Sequence, residues 1–370
     1  MSLTPSDVAN ADLFKPFNLG PIELKNRMVM APLTRNRAEQ PGNCPGPLTV
    51  EYYAQRASLG LIITEATQVS AQAQGYYATP GVHTPEQIAA WKKVTDAVHQ
   101  RGGRIFVQLW HTGRMSHSAF QPGEKPPVAP SAIRAQAKTF IPGSGYVDTS
   151  EPRALETAEI AGIVNDFRTA ARNAVQAGFD GVEIHGAHGY LLDAFLRDGS
   201  NHRTDQYGGS IENRARFLLE VMAAVATEIG PDRTAVRLSP VSPVNDSSES
   251  HPQPLFEYVV RELEKIHPVY IHVVEGHTGG PRDNAPFDYD ALHKLYSGVW
   301  MVNNGYTRDM AIQAIASGKA DLVSFGRAAL TNPDLPRRFK EGAPLNELFS
   351  DAPLYGGVGA HGYIDYPALS

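Results

Sequence analysis

"QAGFDGVEI", residues 176–184, closes a helical pattern on a glycine and enters a short apolar run at once. "ASGKADLVSF", residues 316–325, is the same junction used a second time. A helix that stops at a glycine and feeds directly into an apolar strand is the joint of a parallel α/β protein. Working outward, further strands read at 27–33, 61–66, 104–110 and 181–186, then at 234–239, 270–276, 299–304 and 322–327. Their centres show little polar alternation, as expected of parallel strands covered on both faces. Between them apolar residues recur at helical spacing, as in Ile88/Trp91/Val94/Val98, Ile160/Ile163/Val164/Phe167/Ala171, Phe217/Leu218/Val221/Met222/Val225 and Leu255/Val259/Leu263/Ile266. Gly102, Gly178, Gly230, Gly298, Gly318 and Gly342 follow such segments and are expected to be left-handed caps.

Eight strands alternating with eight helices predict an α/β fold of the (β/α)8, or TIM, barrel type, which needs about 250 residues. The surplus has a place. Residues 111–153, including "QPGEKPPVAPSA", form a Pro- and Gly-rich insertion after strand 3 that is expected to cap the barrel. An N-terminal arm (1–26) and a tail beyond residue 343 supply the rest. Two doubly wound domains are the alternative, but no linker-like composition divides the chain, so 1–370 is read as a single barrel domain.

The chain has 370 residues, 42% apolar and 19% charged, with a formal net charge of −6. That balance suits a large core and argues against nucleic acid or an anionic membrane as partner. No apolar run approaches the roughly 18 residues of a membrane span. The N-terminal "MSLTPSDVANADLFKPF" lacks a basic region followed by an apolar one, so no secretory signal is expected. One cysteine, Cys44 in "PGNCPGP", excludes an internal disulfide and a cysteine-ligated zinc or iron–sulfur site. A cytoplasmic setting, as monomer or homodimer, is the expectation.

In a (β/α)8 barrel the chemistry gathers at the C-terminal strand ends. Those ends carry Thr34, then Ala66–Thr67–Gln68, Gln108 with Trp110, and His185/His188/Tyr190. The later strands add Arg237, Glu275–Gly276, Asn303–Asn304–Gly305 and Gly326–Arg327. With one obvious carboxylate, this ring suits a planar, polar, negatively charged ligand better than a divalent metal. Gly305 and Gly326–Arg327 follow strands 7 and 8, where barrels commonly bind phosphate. Arg237 turns a permanent positive charge toward the mouth. Flavin mononucleotide (FMN) fits both features: its phosphate takes the glycine site, and Arg237 stabilises the reduced anionic ring.

"APLTRNRA" (31–38), "TEATQVS" (64–70), "VQLWHTGR" (107–114), "VEIHGAHGYLLDAFL" (182–196), "NHRTDQYGGSIENRARF" (201–217) and "YGGVGAHGYIDYP" (355–367) resemble segments of the Old Yellow Enzyme family, in the family's order across nearly the whole chain. Within the family the chain is most similar to the bacterial pentaerythritol tetranitrate and N-ethylmaleimide reductases. The resemblance implies an FMN-dependent ene reductase that takes hydride from NADPH or NADH. It implies that Pro32, Leu33 and Thr34 of the "PLT" segment meet the flavin, with Thr34 bonded to the carbonyl beside N5. Ala66 would give backbone contacts, Gln108 would pair with the pyrimidine edge, and Arg237 would sit by N1. Gly305, Gly326 and Arg327 would hold the phosphate. On the substrate side His185 and His188 would bind the carbonyl or nitro oxygen of an activated alkene, Tyr190 would be the proton donor, and Trp110 and Tyr355 would wall the pocket.

Chemistry agrees with those roles. Hydride addition to the β-carbon of an enone leaves negative charge on oxygen, which two aimed donors stabilise. A phenol of pKa about 10 stays protonated at neutral pH and can deliver the proton to carbon. Delivery opposite the flavin would give net trans addition.

Other readings are open for the same residues. His185, His188 and Glu183 could be a metal set in a barrel hydrolase, although the His–Glu–x–x–His pattern is missing. The pocket could also belong to a non-catalytic flavin- or steroid-binding protein. Tyr190 alone could be core filler, Arg237 could join an internal salt bridge, and Thr34, Gln108 and Trp110 are individually ordinary strand-end residues. "GVGAHG" (357–362) matches Gly–x–Gly–x–x–Gly, but no strand precedes it and no helix pattern follows. Without a Rossmann unit, nicotinamide would share the pocket with the oxidant in a ping-pong scheme.

Overall fold

A computed structural model describes Val8 and residues 11–370 of the chain. The predicted strands are present as β1 (Met28–Met30), β2 (Leu61–Gln68), β3 (Ile105–Trp110), β4 (Gly181–Gly186), β5 (Thr234–Leu238), β6 (Tyr270–Val274), β7 (Val299–Asn303) and β8 (Leu322–Phe325). They pair in chain order, all parallel, and β8 joins β1 to close the barrel. Every residue of β2 through β6 is buried, which is why those runs carry no polar alternation.

Around the barrel lie α1 (Pro47–Ala54), α2 (Pro85–Gln100), α3 (Thr157–Gln176), α4 (Ile211–Ile229), α5 (Pro252–Ile266), α6 (Tyr289–His293), α7 (Arg308–Ala316) and α8 (Leu335–Glu341). Their apolar stripes pack on the outer strand faces. Phe167 and Ala171 of α3, Phe217 and Val221 of α4, and Leu255 and Val259 of α5 are fully buried there. α2 starts on a capping box in which Thr84 and Gln87 satisfy each other's backbone N–H groups.

Two boundaries differ from the sequence reading. β1 ends at Met30 rather than residue 33: Ala31 gives a last N–H to Phe325 O (3.0 Å), and Pro32 has no N–H to continue the ladder. β2 runs on to Gln68 through a register shift between Ile63 and Ala66. Of the six proposed cap glycines, Gly298 alone lacks a positive φ. α5 instead ends on left-handed His267.

Two small features decide which barrel end is open. The N-terminal hairpin, Phe17–Leu19 with Ile22–Leu24, packs Leu19 and Leu24 against Val29, Leu61, Phe106, Tyr270, Met301 and Leu322 inside the barrel, plugging its N-terminal end. At the other end the 111–153 insertion forms a second hairpin, Lys138–Ile141 with Gly145–Asp148. No helix among the described residues is long and apolar enough to cross a membrane.

Candidate active site

A cavity of about 1240 Å³ opens at the C-terminal mouth of the barrel. Its wall contains Pro32, Leu33, Thr34, Ala66, Gln108, Trp110, His185, His188, Tyr190, Arg237, Gly305, Gly326, Arg327 and Tyr355. The structure thus brings together every residue given a flavin or substrate role, but not Thr67, Gln68 or Gly276 of the strand-end ring. Glu275 does not line the cavity: its carboxylate accepts from Tyr306 Oη (2.7 Å) and pairs with Lys319 (3.0 Å).

Strand register places the polar groups. His185 of β4 is the direct partner of Arg237 on β5, and Glu183 lies beside Gln108 of β3. With period-2 alternation, Glu183 and His185 share the inner face, one level apart. The lower level is a closed network. Glu183, fully buried, accepts from Gln108 Nε2 (2.7 Å) and Tyr270 Oη (3.1 Å) and bonds His272 Nδ1 (2.8 Å). Burial alone would raise the Glu183 pKa, but His272, Arg237 and Gln108 hold it below the usual carboxylate range. His272 is pushed down by burial, so the pair is a carboxylate accepting from a neutral imidazole. His272 Nδ1 then carries the proton, and Nε2 accepts from Ser324 Oγ (2.8 Å). The network fixes the Gln108 amide: one amino hydrogen points down to Glu183, leaving its carbonyl and second N–H for the cavity.

Arg237 is buried, donates to Asn303 Oδ1 (2.9 Å) and has no partner on Nε. It makes no salt bridge among the described residues, which removes the internal ion-pair reading. Arg327 likewise has no side-chain partner there. The cavity wall holds three cations, Lys138, Arg237 and Arg327, and no aspartate or glutamate. A buried guanidinium with a free Nε–H and no carboxylate partner, in a wall without carboxylates, fits a bound anion.

The upper level carries the histidines. His185 Nδ1 accepts from Ala187 N–H (3.3 Å), so its proton sits on Nε2. His188 occupies a left-handed backbone conformation (φ +59°), held by its N–H to Ser239 Oγ (2.9 Å) and by Asn245 Nδ2 to its carbonyl (2.8 Å). Burial and then Arg237 keep both imidazoles well below their ordinary pKa, hence neutral. Tyr190 lies edge-on to His185 (4.8 Å) and to Trp110 (4.9 Å), and its hydroxyl meets that of Tyr76 (3.2 Å). Burial pushes the Tyr190 phenol up to about 12.

The metal reading loses its ligand set. Glu183 is committed inside the barrel, and no group of three or more His, Cys, Asp or Glu among the described residues is placed to hold an ion. Several wall residues were not read from sequence: Tyr76, Asn245, Thr278, and Lys138 to Phe140 of the insertion hairpin. All lie outside the barrel strands as read. Tyr355 reaches the rim because Arg35 and Arg37 grip the tail backbone at Leu354 O (3.0 Å) and Gly359 O (2.8 Å).

Fold and site together define a barrel oxidoreductase built around an anionic planar cofactor. A sequence profile of the NADH:flavin oxidoreductase / NADH oxidase family matches residues 12–346. The chain is 45% identical over 360 residues to 12-oxophytodienoate reductase 2 of Arabidopsis thaliana, covering 96% of each chain. It is 46% identical over 373 residues to 12-oxophytodienoate reductase 1 of Oryza sativa subsp. japonica, covering 99% of this chain and 96% of the other. Among solved structures, morphinone reductase in complex with tetrahydroNAD superposes with a TM-score of 0.91 at 46% identity, over 98% of both chains. The Old Yellow Enzyme homologue of Zymomonas mobilis gives 0.92 at 43% identity, over 97% of this chain and all of that one. The chain belongs to the NADH:flavin oxidoreductase family of Old Yellow Enzyme type. It is an NAD(P)H-dependent flavin oxidoreductase acting on small molecules, with FMN as cofactor.

Proposed function

We propose that this protein is an ene reductase that saturates the C=C bond of α,β-unsaturated carbonyl and nitro compounds. The observation that carries the reading is the convergence of the His185 Nε2–H, the His188 ring and the Tyr190 phenol in a cavity whose wall holds cations and no carboxylate. FMN, when bound, supplies two-electron hydride transfer from nicotinamide to the acceptor. Pro32, Leu33, Thr34, Ala66, Gln108 and Arg237 would hold the ring, and Gly305, Gly326 and Arg327 its phosphate. Arg237 would place its unpartnered Nε–H against the electron-rich edge.

His185 and His188 bind the acceptor's oxygen and take up the charge that grows there as the β-carbon receives hydride. Tyr190 then gives its proton to the α-carbon, with Tyr76 on its hydroxyl; a phenol held near 12 is protonated throughout the neutral range. Trp110 orients both by packing on Tyr190 and His185, and Tyr355 closes the rim. One cavity carries all these groups, so nicotinamide and acceptor would enter it in turn, a ping-pong scheme. A single half-buried cysteine is consistent with a cytoplasmic setting.

Anaerobic reduction tests the proposal. The yellow holoprotein should bleach with NADPH or NADH and recover its colour on adding 2-cyclohexenone. A protein that bleaches but is recoloured only by oxygen is not an ene reductase, and one that no nicotinamide bleaches is only a flavin binder.

A further inference from the structure

His188 needs a hydrogen to offer the acceptor's oxygen, yet as a neutral imidazole it has only one. Its Nε2 is already engaged, 2.7 Å from Thr278 Oγ1 on the loop after β6. Nδ1 is the ring nitrogen without a protein partner, and His188 lines the cavity. Which nitrogen holds the proton therefore decides whether His188 donates into the cavity or only accepts.

The hydroxyls behind Thr278 settle the direction. Thr278 N–H donates to Ser242 Oγ (3.3 Å), and the Ser242 and Thr278 hydroxyls lie 3.1 Å apart. If His188 Nε2–H donated to Thr278, only one of the two hydroxyl hydrogens could serve the Thr278–Ser242 contact. The other, on Thr278 or on Ser242 (a residue only 2% exposed), would then have no acceptor among the described residues. In the opposite sense every hydrogen is used: Ser242 donates to Thr278, and Thr278 donates to His188 Nε2. A buried hydroxyl left without an acceptor is the costlier state.

We propose that Thr278 is a positioning residue that, through the Ser242–Thr278 relay, fixes His188 as the Nδ1–H tautomer and so makes it a donor to the substrate oxygen. The inference rests on the proposed role of His188 as an oxygen ligand. The loop is held for this task. Asn304 at the end of β7 donates to Glu275 O (2.7 Å) and His277 O (2.9 Å), and its Oδ1 accepts from Gly279 N–H (3.1 Å). The backbone on either side of Thr278 is thereby tied to the barrel. The two histidines then reach the same end by different means: a backbone N–H sets the tautomer of His185, and a side-chain hydroxyl sets that of His188.

The test is an optical titration of the FMN-loaded enzyme with a phenol, whose oxygen stands in for that of the substrate. Thr278→Val keeps the side-chain shape and removes the donor; phenol affinity should fall about tenfold, the worth of one hydrogen bond to a charged oxygen. Thr278→Ser should restore it to within about twofold of wild type. His188→Ala sets the reference loss. If His188→Ala binds phenol like wild type, the oxygen-ligand role fails and this inference falls with it. If His188→Ala weakens binding but Thr278→Val does not, or Thr278→Ser is as weak as Thr278→Val, the tautomer relay alone is wrong. In histidine-labelled ¹⁵N spectra the wild type should show His188 protonated on Nδ1, with that signal lost in Thr278→Val. Protonation on Nε2 in the wild type would overturn the proposal.

Discussion

Replacing Tyr190 by Phe removes one oxygen and leaves its surroundings in place. The ring contacts with Trp110 (4.9 Å) and His185 (4.8 Å) survive, and the hydroxyl pair with Tyr76 at 3.2 Å is lost. That bond is worth about 1 kcal/mol, too little to unfold a barrel of this size. The kinetic effect is larger. With its pKa near 12, Tyr190 is ionised in about one molecule in 10⁵ at pH 7, so almost every enzyme molecule holds the proton ready. A positioned general acid contributes roughly 10²–10⁴ in rate, or about 3–5 kcal/mol of barrier. Anaerobic stopped-flow absorbance of the flavin separates the two half-reactions. Reoxidation by 2-cyclohexenone should slow by roughly 10²–10⁴, while reduction by nicotinamide should change by no more than about twofold. In the wild type, reoxidation should stay flat between pH 6 and 9, because the phenol loses its proton only as pH approaches about 12. Equal losses in both half-reactions would refute Tyr190 as the donor and assign it a general role in shaping the pocket.

Three further outcomes follow from the same geometry. His185→Ala removes the Nε2–H fixed by Ala187, and phenol affinity should drop about tenfold in an optical titration; unchanged affinity would remove His185 from the oxygen site. Arg237→Met deletes a buried guanidinium whose Nε has no partner, and the FMN dissociation constant, read by fluorescence on dilution, should rise about 10–100-fold; full retention of FMN would contradict the fit. Glu183→Gln turns an acceptor of three hydrogen bonds into a group whose amino end faces another donor, costing about 3 kcal/mol in denaturant unfolding. The sign with pH follows from the lowered pKa of Glu183. Its stabilisation is present above the unfolded value near 4.3 and is lost as pH falls through the folded one. The gap between wild type and Glu183→Gln should therefore close in acid, and a gap constant down to pH 2 would contradict an ionised Glu183.

The barrel was legible because its strands are buried on both faces, which leaves eight largely apolar runs without polar alternation, and because helix-ending glycines such as Gly178 and Gly318 mark re-entry into strands. Gln108, His185 and Arg237 stood out for the same reason: each is a polar residue toward the C-terminal end of a mostly apolar strand. What the sequence hid depends on register between strands far apart in the chain. Glu183 looks like a metal ligand beside His185 until β3, β4 and β6 align, bringing Gln108 and His272 onto its two oxygens. Thr278 sits in a Gly-rich loop with no periodicity, and only the clamp from Asn304 aims it at His188. The hairpin Lys138–Ile141 with Gly145–Asp148 was masked by the Pro- and Gly-rich segment before it. Glu275, read as part of the mouth, is drawn off by Lys319 and Tyr306, contacts that no local pattern announces.

In the proposed reaction hydride reaches one alkene carbon from the flavin side while Tyr190, on the histidine side, protonates the other. Isotope placement reads this directly. The enzyme should turn over 2-cyclohexenone with 4-deuterated nicotinamide in H₂O, with unlabelled nicotinamide in D₂O and with both labels together, and each product should be examined by NMR before its α-position exchanges with solvent. With both labels the expected product carries the nicotinamide's deuterium at the β-carbon and solvent deuterium at the α-carbon, in trans relation. A β-deuterium drawn from solvent, or cis addition, would contradict the placement of Tyr190 opposite the flavin.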